Sequence, residues 1–320
     1  MREKVNGFVG VMAVAILCMV SGLCMVWGIA PVVLAVYVAA CAVCGRYMIT
    51  CIGCAAGVAA GSMGIAGLLH AYEYMIPGPV YSGVMVTEKY LVLLGLAMCL
   101  MKIVYSRNSR SYVRVIVVMS AAVLMGNIVV YADNMLMAAA YGVVEAVIFM
   151  CASVILKPGI GLLYTYICGD ASDVERDESW NISQGIVSLM ALAAVVLWVV
   201  PGEDIYGVNP AFMLALVLIL YAVYRTGAVY GCGMAAVAGS IVSVKLNDSR
   251  WLMWMLLVTL VMLIGRALTG RRKVSASLFY VLGCVLASVA DGTVLWNGSG
   301  REIAFYYINI AVPVVLFACI

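Results

Sequence analysis

The stretch Gly227-Ala-Val-Tyr-Gly-Cys-Gly-Met-Ala-Ala-Val-Ala-Gly-Ser-Ile-Val-Ser243 sets Gly227, Gly231, Ala235, Gly239 and Ser243 at every fourth position. On a helix these five share one stripe, because residues four apart stack on the same face. Val229, Val237, Ile241 and Val242 surround the stripe, and no charge intervenes between Arg225 and Lys245. A face without bulk lets a second backbone come close, the way helices associate in lipid, where hydrophobic burial gives no drive. The stripe therefore predicts helix packing ahead of a substrate path.

The composition widens this reading to the whole chain. Of 320 residues, 66% are hydrophobic and 10% charged, and mean hydropathy is +1.14. A soluble domain carries about 25% charged residues, so an all-α polytopic membrane bundle is expected, one membrane domain over 1–320 without a soluble domain. Apolar runs cover 7–27, 29–44, 47–69, 90–105, 115–131, 135–156, 185–200, 209–224, 226–244, 251–265, 274–290 and 303–320. A helix needs about 20 residues to cross a bilayer, and several runs are shorter, which predicts ten to twelve spans. The first run matches that length and lacks a clear small-residue cleavage site, so it reads as a retained helix.

Charge placement orients the spans. With the N-terminus in the cytoplasm and twelve crossings, only Lys89, Lys245, Arg250 and Arg301 of the 18 Lys and Arg fall outside. That bias matches the positive-inside rule and predicts both termini in the cytoplasm. An acidic linker, 169–184, joins halves 1–168 and 185–320; no sequence repeat relates the halves.

Gly53, Gly57 and Gly61 form a second ladder of small residues in the third run, again predicting close packing. Glu145 is the acidic side chain nearest the middle of a run. A carboxylate there costs roughly 2.5–3.5 kcal/mol unless paired or protonated, and marks a functional candidate by default. A hydrogen bond to Ser, Tyr or Asn on a neighbouring helix is the structural reading, and no intramembrane Lys or Arg partner is expected. Asp133 starts the same hairpin, at the interface.

Cys41, Cys44, Cys51 and Cys54 flank the Gly45-Arg46 turn in paired C-x-x-C spacing. Their apolar setting opposes thiolate formation and hence zinc, so they read as small hydrophobes. The other cysteines lie almost all in apolar runs as well and do not read as a disulfide framework. His70 is the sole histidine. Phosphate-loop, zinc-protease and serine-hydrolase motifs are absent. No catalytic residue, metal, cofactor or nucleic-acid partner is expected. Arg266, Arg271, Arg272 and Lys273 form a basic cluster, either a cytoplasmic contact for lipid headgroups or protein or a topology anchor.

Several blocks in order give the chain a family likeness. They are Pro31-Val-Val-Leu-Ala-Val-Tyr37, Tyr141-Gly-Val-Val-Glu145-Ala-Val147, the acidic insert ending at Glu178, and Gly227–Ser243. Gly265–Leu286, Asp291-Gly292 and the last run with Pro313-Val-Val-Leu-Phe317 follow. This set resembles the membrane-spanning amino-terminal region of stage II sporulation protein E of endospore-forming bacteria. The resemblance implies a membrane anchor that self-associates at the septum beside cell-division or sporulation proteins, in a bacterial cytoplasmic membrane. In that family a cytoplasmic serine/threonine phosphatase with two aspartate-held divalent metals follows the anchor. None of its aspartates maps onto this chain, which is expected to be a stand-alone or truncated module, or to work with a phosphatase on another chain. Val32-Val33 also stands where the family would place Phe-Gly. The rival expectation is a small-molecule or ion transporter that uses Glu145.

Overall fold

The computed structural model describes the backbone of residues 2–23, 31–72, 83–103, 109–132, 134–168, 182–200, 209–291 and 300–319. Twelve helices fill these segments: α1 (Arg2–Gly22), α2 (Pro31–Cys44), α3 (Tyr47–Tyr72), α4 (Gly83–Ile103), α5 (Ser109–Val130), α6 (Met135–Cys168), α7 (Ile182–Val199), α8 (Pro210–Thr226), α9 (Ala228–Lys245), α10 (Arg250–Thr269), α11 (Lys273–Asp291) and α12 (Gly300–Cys319). No strand occurs among the described residues. Five stretches, 111–130, 135–167, 228–245, 250–269 and 273–290, are long and apolar enough to cross a bilayer; shorter apolar helices accompany them. The protein is an all-α polytopic membrane bundle.

The chain divides into two compact units, Met1–Val195 and Val196–Ile320. Within the first, α2 is the interior element. Pro31 to Cys41 are buried without a break. A helix apolar all round has no face to give to water and is buried on every side. Helices α1, α3, α4 and α6 pack around it. Pro31 opens it at N1, where a missing N–H costs nothing. Gly45, at φ +64, closes it with its N–H on the Cys41 carbonyl. Only Gly45 and Arg46 separate α2 from α3.

The α1–α3 contact explains the ladder in the third run. A Cβ at Gly53 would lie 2.7 Å from the Ala15 carbonyl oxygen, and one at Gly57 would overlap the Met19 carbonyl oxygen. Two helices meet backbone to backbone here, as small residues permit. Gly61 is buried farther along α3.

Helix α6 departs from the sequence reading. A loop is expected from Lys157, yet the helix runs through Lys157 and Pro158 to Cys168. Its 34 residues make a rod of roughly 51 Å at 1.5 Å per residue. Proline removes one helical N–H, leaves the Val154 carbonyl without its usual donor and crowds the preceding turn, and side chains of neighbouring helices bond the backbone on either side of it. Tyr112 Oη of α5 donates to the Ser153 carbonyl at 2.7 Å, and the Gly159 N–H donates to Ser188 Oγ of α7 at 2.5 Å. Lys157 sets its ammonium 4.6 Å from the Tyr112 ring centroid. Proline is tolerated inside membrane helices where such neighbours pack against the backbone.

In the second unit α10 packs between α9 and α11, and α8 meets α9 and α12. Asn209 caps α8: its Oδ1 accepts from the Phe212 N–H at 2.9 Å, with Pro210 following at N1. The Asn209 N–H donates in turn to Asn309 Oδ1 of α12 at 3.0 Å, a buried bond. Phe212, Trp251 and Trp254 form an edge-on aromatic cluster with centroids 4.9–6.2 Å apart.

The stripe from Gly227 to Ser243 is corrected at its start. Gly227 lies outside α9, at φ +98, as the joint between α8 and α9. Gly231 faces α8, where a Cβ would meet Val223 Cγ2 at 2.7 Å; Gly239 faces α10, where a Cβ would meet the Leu252 Cα at 3.0 Å. Ala235 is buried between them. Ser243 closes the stripe with its Oγ buried and without a hydrogen-bond partner among the described residues. One row of small residues thus serves two neighbouring helices.

Candidate functional site

Three helices of the first unit bring Lys89, Asn127 and Glu145 together. Lys89 is the seventh residue of α4, Asn127 lies one turn before the end of α5, and Glu145 stands three turns into α6. Lys89 Nζ donates to Glu145 Oε2 at 2.8 Å and to Asn127 Oδ1 at 3.1 Å. Asn127 Nδ2 donates to Glu145 Oε2 at 2.6 Å and to the Val123 carbonyl at 3.1 Å. The amide thus turns its oxygen to the cation and its nitrogen to the carboxylate, closing a ring of three. The Lys89 side chain is 4% exposed and that of Glu145 18%.

Local sequence makes room for this ring. Gly126 lies against the Lys89 stem, where a Cβ would stand 3.2 Å from Cγ. Gly142, three residues before Glu145 and so on the same face of α6, lies against Asn127, where a Cβ would stand 3.4 Å from the Asn127 Cβ. The Lys89 ammonium sits 4.7 Å from the centroid of the buried Tyr90 ring. Such a contact is worth more when desolvated than at a surface. Beyond the ring, Tyr131 and Tyr141 stack at 5.3 Å across the α5–α6 connection.

This geometry corrects one expectation. Lys89 is expected in an external loop and Glu145 without a basic partner; instead Lys89 is inside α4 and pairs with it. The signal was the apolar run 90–105, too short to span. Extending it back to Gly83 gives a helix of 21 residues and draws Lys89 inside. Asn127 was the other residue overlooked, a lone amide within the apolar run 115–131. Asp133 lies outside the described residues.

The basic cluster divides. Arg266, on α10, donates from Nη1 to the Val223 carbonyl in the last turn of α8. Its guanidinium covers Gly227, where a Cβ would lie 3.2 Å from Nη1. A cation at a helix C-terminus complements the carbonyl end of the dipole, so Arg266 fastens α8 to α10 and is no free contact. Arg271, Arg272 and Lys273 are exposed. Lys245 serves α7 in the same way, donating to the Val200 carbonyl.

Cys41 and Cys54 are buried, and Cys41 Sγ lies 3.2 Å from Thr50 Oγ1. Among the described residues no group of three or more His, Cys, Asp or Glu is placed to hold a metal ion. The Lys–Asn–Glu ring offers fixed charge and hydrogen bonds, its polar contacts made to one another and to the Val123 carbonyl. No protein-family model matches the sequence, and no curated protein or solved structure is significantly similar to it.

Proposed function

We propose that this chain is a membrane scaffold and anchor, without catalytic activity of its own. The observation that carries the reading is the closed Lys89–Asn127–Glu145 ring, which fastens α4, α5 and α6 and satisfies its charges internally. A coupling residue needs an exchangeable partner; here the carboxylate is held by an ammonium and an amide from two other helices. The glycine faces of α3 and α9, closed against neighbouring backbones, support the same reading.

The ordered sequence blocks give this scaffold a setting: a bacterial cytoplasmic membrane with both termini in the cytoplasm, self-association at a septum, and contacts to cell-division or sporulation proteins. A fluorescent fusion expressed in a sporulating bacterium tests the proposal. Septal accumulation that falls in Glu145→Gln, recovers in the uncharged pair Lys89→Met with Glu145→Met, and is lost in Gly57→Leu and Gly239→Leu supports it; uniform membrane fluorescence of the wild type overturns it.

The 18% exposure left to Glu145 favours one second reading, a transporter with this carboxylate in the path. Solute or ion uptake by proteoliposomes of the purified chain, abolished in Glu145→Gln, would establish that reading and displace the scaffold.

A further inference from the structure

At the α2–α3 turn a groove of about 470 Å³ opens between the start of α3 and the last turns of α4. Its walls are of two kinds. Met48, Ile49 and Met98 supply apolar surface, and Arg46 and Lys102 supply two cations. Both cations are exposed, and neither has a hydrogen-bond or ion-pair partner on its side chain among the described residues. Elsewhere in the fold Lys89, Lys157, Lys245 and Arg266 are each engaged with a carboxylate, a ring or a carbonyl. Arg46 and Lys102 stand apart from that pattern, across an apolar cleft from each other.

Met48 is 68% exposed, and Ile103, beside Lys102, is 81% exposed. In a membrane bundle such side chains meet acyl chains, so the groove is continuous with lipid on its apolar side. The floor adds donors. The Tyr47, Met48 and Ile49 N–H groups belong to the first turn of α3, where no intrahelical acceptor exists; the first such bond in the turn is Thr50 N–H to the Arg46 carbonyl.

We infer that this groove holds an anionic phospholipid, its phosphate between Arg46 and Lys102 and its first acyl carbons on Met48, Ile49 and Met98. The charge complementarity and the split lining select this occupant. A soluble anion would leave the apolar wall unused, and a zwitterionic lipid would bring its own cation against two others. Basic pockets between membrane helices recognise lipid headgroups by this combination. The inference needs only the membrane residence of the chain and is independent of the scaffold proposal.

The test uses the full chain in nanodiscs of phosphatidylcholine doped with phosphatidylglycerol, with bound lipid counted by native mass spectrometry after mild release. Each basic residue near an anionic lipid surface strengthens binding about fivefold, so Arg46→Gln with Lys102→Gln weakens retention about thirtyfold. The charge-preserving pair Arg46→Lys with Lys102→Arg retains the lipid. Gel-filtration profiles of the variants confirm that the fold survives, since both side chains are exposed. Three results would overturn the inference: equal phosphatidylglycerol retention by wild type and the double Gln variant, equal retention of phosphatidylcholine, or displacement by millimolar inorganic phosphate, which would mark a soluble-anion site.

Discussion

Replacing Lys89 and Glu145 by methionine, singly and together, tests what the ring contributes. At 2.8 Å, two unit charges attract by about 6 kcal/mol at an effective dielectric of 20. Taking each ion out of water costs several kcal/mol, so the intact pair nets little against an apolar pair of the same volume. Removing one partner is different, because a buried charge remains and the loss is about 3–5 kcal/mol. Glu145 keeps 18% exposure and the 2.6 Å bond from Asn127, which places Lys89→Met near the lower figure, about 3 kcal/mol. Lys89 is 4% exposed, which places Glu145→Met near about 5 kcal/mol. The double variant leaves no orphaned charge. It strands only the Asn127 amide, which keeps its bond to the Val123 carbonyl, at about 1–3 kcal/mol. The coupling between the sites is therefore about 5–7 kcal/mol, at the upper end of the range measured for close charge pairs. Equilibrium unfolding in mixed micelles of dodecylmaltoside and dodecylsulfate, followed by circular dichroism, measures all four states. Losses that add within about 0.5 kcal/mol would refute the reasoning and reduce the ring to three unrelated side chains.

Three further predictions follow from the same structure. Gly57→Ala drives a methyl into the Met19 carbonyl of α1 and costs about 1–3 kcal/mol, whereas Gly95→Ala, with nothing within 4 Å of its Cβ, is neutral or stabilises by up to about 1 kcal/mol; thermal scans in detergent separate the two. Arg266→Gln removes the donor to the α8 terminus and costs about 1.5–3 kcal/mol, while Arg271→Gln, exposed on the connection to α11, leaves the thermal midpoint unmoved. In the α9–α10 connection, Arg250 holds the Asp248 carboxyl below its ordinary value through side-chain and backbone hydrogen bonds. That carboxylate contributes stability above its unfolded pKa and loses it as pH falls through the lower folded one; carbon NMR of labelled Asp248 should titrate below 3.8, and Arg250→Gln should raise the midpoint.

The helical class and the span positions were legible because apolar runs and charge punctuation report directly on lipid. Eight of the helices begin and end within four residues of such runs for that reason. The exceptions are instructive. Helix α6 passes through Pro158 with Tyr112 and Ser188, distant in sequence, bonded to its backbone at Ser153 and Gly159, and no local signal carries those partners. Helix α4 begins before Lys89 because the cation has a buried carboxylate to meet, so a charge that reads as a boundary is an interior group. Gly53 and Gly57 disclosed their close approach through spacing alone. The same spacing misplaced Gly227, because a four-residue interval does not distinguish a helical position from a joint at positive φ. Arg266 looked like its neighbours in the sequence, and only the return of α8 beside α10 gives it a carbonyl to bind.

The enclosure of α2 bears on how the chain is made. Its 14 residues rise roughly 21 Å, short of the ~30 Å hydrocarbon layer, and they sit in a casing whose largest wall, α6, leaves the ribosome long afterwards. During synthesis this segment must wait unhoused beside α1 and α3, too brief to rest across the bilayer by itself. Topogenesis of the first unit is therefore completed only when α6 arrives. A chain arrested before Met135 would leave α2 accessible to membrane-impermeant thiol reagents at Cys41 and Cys44, and a chain released after Cys168 would have sealed Cys41 away.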